Sequence, residues 1–354
     1  MDVTERIELI TRPPTEEVVT EGELRELLET EARPKHYIGL EISGKLHLGS
    51  LIVNGLKIND FLKAGVRTTI LLADWHSYIN EKLGRDWDRI RKAGRYYEEA
   101  FKFFCEGSRI IYGSDLYRGN DKYWENLVKI CRHVSLARIT RCLTIMGRSK
   151  KEKLSFAQYL YPPMQASDIK ALDLDIAHAG MDQRKVHMLA RDVFPKLGWK
   201  VPVAVHHSLL PGLEPPKRLG LEEDEAMDLV VSSKMSKSKP QNCIFIHDDE
   251  ETLRKKVLKA WCPERVSENN PILEMARLII FHEFDEFVVE RPSKYGGVVT
   301  FGSFEELRRE YEKGAVHPKD LKEAVARYLD RIIDPVRRHF ENRKELLEPF
   351  EGYE

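Results

Sequence analysis

The segment that decides the fold runs from His36 to Leu51 and reads HYIGLEISGKLHLGSL. Its first half, His36 to Ile42, has the composition of a buried strand, and the glycines that follow suit a tight turn into an amphipathic helix. After that helix, the apolar run from Thr68 to Ala73 predicts a second buried strand. The order strand, helix, strand is typical of a parallel sheet, in which a nucleotide binds where the strand order reverses. We therefore predict a Rossmann-like, doubly wound α/β fold.

A second motif, Lys234-Met235-Ser236-Lys237-Ser238, follows far downstream of the turn His47-Leu48-Gly49-Ser50. Taken alone, the turn is an ordinary strand-to-helix connection, and the lysine motif is an ordinary basic loop. Together they suit ATP, because lysine ammonium groups stabilise charge on a departing pyrophosphate, and a glycine-rich helix N-terminus offers N–H groups to phosphate. The two motifs predict an ATP site divided between distant parts of the chain.

The composition is that of an ordinary soluble protein with room for two domains, since 42% of its 354 residues are hydrophobic and 32% are charged. The segment Met1 to Thr11 lacks the apolar core of a signal peptide, and no stretch approaches a membrane span. Five cysteines without a Cys-x-x-Cys pair, and His206-His207 without a third ligand, favour a cytosolic, reduced protein with no metal site. With a net charge of -1, nucleic acid would have to bind through local basic patches.

The pattern along the chain predicts three parts. Residues 1–228 form the α/β domain, with a helical N-terminal extension over 1–33. Residues 229–247 hold the lysine loop and a linker, and residues 248–354 form a mainly helical C-terminal domain. Further strands are expected at 175–179 and 200–205, and further helices at 86–105, 121–147, 249–261, 271–284, 304–313 and 318–347.

Three polar residues, Tyr161, Gln165 and Asp168, have the i, i+4 and i+7 spacing that places them on one helix face. Such a face is more often solvated helix surface. The apolar neighbours Met164 and Ile169 favour a buried face here. The glycine before Asp182 and Gln183 predicts the start of another helix, and His76 follows a buried strand, at the sheet edge where ligands bind.

These motifs resemble the class I aminoacyl-tRNA synthetases, whose signatures are a His-x-Gly-His turn and a Lys-Met-Ser-Lys-Ser loop. The second signature is complete, whereas Ser50 replaces the last histidine of the first. The segments 37–41, 161–168 and 180–185 are similar to tyrosyl-tRNA synthetases of the archaeal and eukaryotic type, over most of the chain. The resemblance implies an enzyme that activates tyrosine with ATP, as its magnesium complex, and transfers it to tRNA(Tyr).

The resemblance also implies residues for both small substrates. The tyrosine site would comprise Tyr37 and Asp168 at the phenol, Tyr161, Gln165 and Gln183 at the α-amino group, and Glu41 and His76 nearby. Phenylalanine would leave the two phenol partners unpaired, a rule for which tyrosyl enzymes are themselves the standard example. The ATP site would comprise Gly44, His47, Gly49, Ser50, Asp182, Lys234, Met235, Ser236, Lys237 and Ser238, with His47, Lys234 and Lys237 acting in catalysis.

For RNA, the resemblance points to the segments 291–297 and 317–320 as an anticodon site. There Tyr295 and His317 would stack on an unpaired guanine whose edge pairs with Asp320, although an aromatic residue beside two glycines is equally a plain turn. The acceptor end would contact Arg141, Arg184 and Lys185. A homodimer is implied as well, formed through the 115–160 insertion with its apolar residues Leu127, Ile130 and Val134.

Three alternatives remain at this stage. Tryptophanyl-tRNA synthetases share the fold and both signatures, but Tyr37 and Asp168 favour a phenol. A regulatory RNA-binding relative without aminoacylation is favoured only by Ser50, and the complete lysine loop argues against it. A small-molecule nucleotidyltransferase would share the glycine turn but would not need so large a helical tail.

Overall fold

The computed structural model describes residues 1–147 and 153–352. Its strands are β1 (Thr15–Val19), β2 (Lys35–Leu40), β3 (Arg67–Leu72), β4 (Arg109–Tyr112), β5 (Ile176–Gly180), β6 (Val203–His207), β7 (Phe287–Val289) and β8 (Val299–Phe301). The first six form one sheet in the order β1-β6-β5-β2-β3-β4, and the last two form an antiparallel hairpin. Within the sheet, β1 pairs antiparallel with β6 and all other neighbours are parallel.

The chain reverses its direction of travel across the sheet between β2 and β5. From β2 it crosses to β3 and β4, then returns to β5 on the other side of β2 and continues to β6. Tyr37 of β2 consequently lies between Thr69 of β3 and Ala177 of β5. The carboxyl ends of β2 and β5 form the crevice where doubly wound sheets bind ligands. The predicted Rossmann-like, parallel-sheet fold is confirmed.

Helices cover both faces of this sheet. Alternate strand residues face opposite cores: Ile70 and Leu72 lie in one buried cluster, and Leu71 lies in the other. The helices are α1 (Val3–Thr11), α2 (Glu21–Thr30), α3 (Asn54–Lys63), α4 (Asp74–Ile79), α5 (Trp87–Phe104), α6 (Gly113–Tyr117), α7 (Asp121–Arg132), α8 (Leu136–Cys142), α9 (Phe156–Ala171), α10 (Arg184–Val193), α11 (Glu225–Ser233), α12 (Glu250–Lys259), α13 (Pro271–Met275), α14 (Phe281–Glu283), α15 (Phe304–Glu312) and α16 (Pro318–Phe340). None of them, in the described ranges, is long and apolar enough to cross a membrane.

The prediction of a wholly helical N-terminal extension is wrong in one part. Residues 1–33 contain α1 and α2, but β1 lies between them and forms the edge of the main sheet. Pro13 and Pro14 lack the N–H groups that would continue α1, and the β-branched Val18 and Val19 suit a strand. The extension is therefore part of the sheet and does not merely cover it.

The C-terminal part is mainly helical, as predicted, but the hairpin of β7 and β8 was not expected. Its helices share a core with the sheet domain: Leu273 and Leu329 belong to the same buried cluster as Leu51 and Leu72. Helix α11 runs across the predicted boundary at residues 228 and 229. The division into domains stays a prediction.

The residues predicted for a dimer surface are not available for one. Leu127 and Ile130 are buried within the chain and Val134 packs against the same core as Ile130. The buried apolar residues of α7 share one helix face, but that face packs against α9 of the same chain. Residues 148–152 of the predicted insertion lie outside the described residues.

Candidate active site

A cavity of about 940 Å³ opens at the carboxyl ends of β2 and β5. Every residue predicted to bind tyrosine or ATP lines it. These are Tyr37, Glu41, Gly44, His47, Gly49, Ser50, His76, Tyr161, Gln165, Asp168, Asp182, Gln183, Lys234, Met235, Ser236, Lys237 and Ser238. Two segments far apart in sequence, one after β2 and one after α11, thus meet at one crevice.

The deep end of the cavity carries Tyr37 and Asp168. Tyr37 is 1% exposed, and its hydroxyl makes no hydrogen bond of normal geometry among the described residues, although the Gln165 side chain is close enough to act against the rise in its pKa. Burial raises the pKa of Tyr37, and the neighbouring Asp168 carboxylate raises it further. Asp168 accepts a hydrogen bond from the Tyr123 hydroxyl at 3.1 Å, and burial raises its pKa well above the usual range. This end therefore offers an unsatisfied hydroxyl beside a carboxyl group, and a buried polar group of this kind favours a polar ligand.

His76 and Tyr161 extend this polar end. His76 Nε2 lies 3.9 Å from the Asp168 carboxylate, and its ring meets the Tyr161 ring edge-on at 4.5 Å. Burial lowers the pKa of His76 to about 4, so the imidazole is neutral at physiological pH. Because Tyr161, Gln165 and Asp168 lie on the cavity side of α9, the predicted shared face exists and is not solvated helix surface.

Tyr161 and Gln183, predicted for the α-amino end, and the nearby Glu41 all have partners within the chain. Glu41 accepts hydrogen bonds from Asn80 Nδ2 at 2.6 Å and from the Tyr161 hydroxyl at 3.4 Å. The Gln183 side-chain amide donates to the Ile145 carbonyl at 2.9 Å. That bond leaves the Gln183 carbonyl oxygen free to accept from an ammonium group. The arrangement leaves hydrogen-bond acceptors on this side of the cavity.

The His-Leu-Gly-Ser turn is closed by its own side chains. His47 Nδ1 accepts from the Gly49 N–H at 3.1 Å, which places the ring proton on Nε2. Ser50 Oγ accepts from the His47 N–H at 2.8 Å, so the serine that replaces the second histidine caps the helical turn Leu48–Val53. Burial lowers the pKa of His47 well below its usual range, and the Lys237 and Lys234 ammonium groups lower it further. His47 is thus a neutral N–H donor.

Both lysines of the loop are oriented by partners across the crevice. Lys234 Nζ lies 2.6 Å from the Asp182 carboxylate, and this ion pair lowers the pKa of Asp182 although burial acts to raise it. Lys237 Nζ donates to the Tyr97 hydroxyl at 2.6 Å and to the Gly44 carbonyl at 3.4 Å. Gly44 has φ +152°, and a Cβ there would lie 2.9 Å from Lys237 Cδ. Only glycine lets the lysine stem pass so close.

Sequence reasoning missed three side chains near this cavity. Tyr97 of α5 bonds to Lys237, Tyr123 of α7 bonds to Asp168, and His247 lines the cavity. The His247 ring bonds to the Tyr96 hydroxyl at 2.8 Å. None of the three belongs to a motif. Each is brought to this region by the packing of its own element, which the sequence pattern does not reveal.

The residues predicted for the tRNA acceptor end lie around α10. Arg141 is exposed, Arg184 pairs with Glu17 at 2.8 Å, and Lys185 forms an ion pair with Glu222. Lys185 also donates to the Thr144 hydroxyl at 3.0 Å. Arg184 and Lys185 are therefore both paired with carboxylates of the same chain.

The residues predicted for the anticodon lie in the C-terminal part, in the turn before β8 and at the start of α16. Tyr295 is 62% exposed, and Arg291 bonds to the carbonyls of Gly297 and Ala315, which links the tyrosine turn to the segment before His317. Asp320, in the first turn of α16, lines a separate surface cavity that includes neither aromatic residue among the described ones. The guanine site formed by these residues stays a prediction.

Comparison with known proteins places this geometry in a family. The family model for tRNA synthetases class I (W and Y) matches residues 29–334. The chain belongs to this family. Proteins named tyrosine–tRNA ligase from Thermococcus sibiricus and Pyrococcus horikoshii are each 46% identical to this synthetase, over 98% of either chain.

Solved structures agree with the family assignment. The crystal structure of the Pyrococcus horikoshii tyrosyl-tRNA synthetase complexed with L-tyrosine has a TM-score of 0.92 and 44% identity, covering 99% of this synthetase and 100% of that chain. The tryptophanyl-tRNA synthetase of Aeropyrum pernix has a TM-score of 0.66 and 18% identity, covering 93% and 84%. The second likeness shows the shared fold alone.

Proposed function

We propose that this synthetase is a tyrosine–tRNA ligase. It activates L-tyrosine with ATP to tyrosyl-adenylate and transfers tyrosine to the 3'-terminal adenosine of tRNA(Tyr), releasing AMP and pyrophosphate. The observation that carries the proposal is the Tyr37 hydroxyl, which is buried beside Asp168 and makes no hydrogen bond of normal geometry among the described residues. A substrate phenol can donate to one of these groups and accept from the other. The names of the relatives support the same substrate.

In the first step, a carboxylate oxygen of tyrosine attacks the α-phosphorus of ATP, and the bond to the bridging oxygen of pyrophosphate breaks. No protein nucleophile is needed, so the chain contributes position and electrostatic stabilisation. His47 supplies a neutral N–H donor, and Lys234 and Lys237 stabilise the negative charge that grows on pyrophosphate. Asp182 is proposed to accept from the ribose once Lys234 turns towards phosphate.

In the second step, a hydroxyl of the terminal tRNA ribose attacks the carbonyl carbon of the mixed anhydride, and AMP leaves. Arg141, Arg184 and Lys185 are proposed to contact the acceptor end, and Tyr295, His317 and Asp320 the anticodon. The support is their chemistry: Tyr295 is exposed for stacking, and the basic residues lie on α8 and α10 beside the cavity.

Magnesium would arrive with ATP as part of the substrate. We place the enzyme in the cytoplasm, where its five free cysteines suit a reducing environment.

We further propose a homodimer that forms through the outer side of α7 and the start of α8. Trp124 is 48% exposed, Val128 60% and Leu136 69%, so large apolar side chains face solvent in the described monomer. This surface replaces the buried residues that the sequence suggested. Light scattering should give twice the monomer mass, and Val128→Glu should shift it towards monomer; a wild-type monomer would contradict the proposal.

Aminoacylation of tRNA with tyrosine, tryptophan and phenylalanine tests the function. Tyrosine should be attached and the other two should not, because neither indole nor phenyl satisfies Tyr37 and Asp168 together. Attachment of tryptophan in preference to tyrosine would show that the chain is a tryptophanyl-tRNA synthetase, the other specificity of this family.

A further inference from the structure

Tyr97 connects the two halves of the ATP site, although neither signature contains it. This residue of α5 is 2% exposed. Its hydroxyl donates to the Gly44 carbonyl oxygen at 2.9 Å and accepts from the Ser43 N–H at 3.3 Å. The same hydroxyl accepts from the Lys237 ammonium at 2.6 Å. One side chain thus contacts the glycine turn and the lysine loop at once.

The hydrogen-bonding capacity of this hydroxyl is fully used. A hydroxyl has one proton and two lone pairs, and the partners Gly44, Ser43 and Lys237 occupy them all. Lys237 has three N–H groups, of which one faces Tyr97 and another makes the longer, 3.4 Å contact with the Gly44 carbonyl. A donor therefore remains on Lys237 for a phosphate oxygen.

The Lys237 stem is guided as well as its ammonium group. Its methylenes pass close over Gly44, and the ammonium lies 5.3 Å from the centre of the Tyr97 ring, within the range of a cation–π contact. A free lysine side chain samples many rotamers, and fixing it before the reaction removes that entropy loss from the activated complex. The contacts with Tyr97 provide such a constraint.

We propose that Tyr97 is a positioning residue for tyrosine activation, because its hydroxyl holds the Lys237 ammonium over the glycine turn where pyrophosphate departs. The inference rests on the proposed function, which gives Lys237 its role. Tyr97 itself touches no reacting atom. It acts through Lys237, and a change at Tyr97 should therefore matter only while that lysine is present.

The variant Tyr97→Phe keeps the ring and its packing and removes only the hydroxyl. In single-turnover assays with saturating tyrosine, tyrosyl-adenylate should form roughly tenfold more slowly, the effect expected for losing one charge-assisted hydrogen bond. The Kd for tyrosine should not change. Tyr112→Phe is a matched control, because that hydroxyl donates to Glu98 at 3.0 Å, away from both signatures; its rate should equal that of the wild type.

Double variants separate positioning from a general structural effect. In a Lys237→Ala background, Tyr97→Phe should slow adenylate formation by less than about twofold, whereas in a Lys234→Ala background the roughly tenfold effect should persist. Equal slowing in both backgrounds, or no slowing by Tyr97→Phe alone, would overturn the inference. A wild-type protein that forms no tyrosyl-adenylate would instead overturn the proposed function, and this inference with it.

Discussion

The ammonium of Lys234 lies 2.6 Å from the carboxylate of Asp182, across the crevice that both signatures line. Lys234 directly follows α11, whereas Asp182 is the second residue after β5. This ion pair ties the lysine loop to the edge of the sheet. A phosphate group that binds Lys234 has to compete with the Asp182 carboxylate for its ammonium group.

Replacing Lys234 by alanine should lower tyrosine-dependent pyrophosphate exchange by about 100-fold or more, since one electrostatic contact to the departing group is lost. The Kd for tyrosine should stay within about twofold of the wild type, because the phenol and α-amino partners are unchanged. Lys239→Ala is the control, since this lysine lies outside the cavity lining and 3.8 Å from Glu214. Equal exchange rates for wild type and Lys234→Ala would refute the role.

Replacing Tyr37 by phenylalanine should separate recognition from stability. The free energy of unfolding should stay the same or rise slightly, because the lost hydroxyl makes no hydrogen bond of normal geometry among the described residues. In contrast, kcat/KM for tyrosine should fall about tenfold to 100-fold as the substrate phenol loses a partner. Denaturant unfolding and pyrophosphate exchange with tyrosine and phenylalanine measure the two effects. A less stable variant with unchanged preference would make Tyr37 a structural residue.

Folding stability should decrease as the pH falls below neutrality. Burial lowers the pKa of His207 to about 4, although the Asp182 carboxylate acts to raise it. An unfolded histidine has a pKa of about 6.5, so below that pH the unfolded chain binds a proton that the folded chain refuses. The contribution of His207 to the free energy of unfolding is therefore fully present above pH 6.5 and is lost as the pH falls towards 4.

One such histidine should contribute a loss of roughly 2 kcal/mol between pH 7 and pH 5. Urea unfolding at the two pH values measures it, and His207→Asn should show the smaller decrease. Identical decreases for wild type and variant would show that His207 is not among the groups responsible.

Replacing Glu222 by glutamine should release Lys185, the cation proposed for the tRNA acceptor end. The Glu222 side chain is 6% exposed, and its loop is shaped by Asp228, which accepts from the backbone N–H of Leu221 at 2.7 Å. The KM for tRNA should fall about two- to fivefold, the scale of a partly exposed ion pair, while adenylate formation stays unchanged. Glu225→Gln is the control, because Glu225 is an exposed carboxylate that pairs with Arg218 and not with Lys185. A higher KM for tRNA would mean that Glu222 supports binding.

Short motifs made much of this site predictable. Tyr161, Gln165 and Asp168 share a face because a helix repeats every 3.6 residues, and the signature turns are local in sequence. Tyr97 and Tyr123 were not predictable, since only the packing of α5 and α7 brings them to Lys237 and Asp168.

Two other differences between expectation and structure have local causes. Strand β1 was missed in a charged segment, although Pro13-Pro14 was a signal that α1 must end. Ser50 departs from the second histidine of the signature, and the structure shows that its hydroxyl caps the turn through the His47 N–H. Sequence alone does not reveal such a local bond, because the replacement of one polar residue by another leaves the periodic pattern unchanged.

Exchange of labelled pyrophosphate into ATP, measured separately with tyrosine, tryptophan and phenylalanine, shows whether the cavity selects a phenol. We expect rapid exchange with tyrosine and at least about 1,000-fold weaker exchange with the other two, because neither provides a phenol hydroxyl for Tyr37 and Asp168. Exchange that is as fast with tryptophan or phenylalanine as with tyrosine would contradict this expectation.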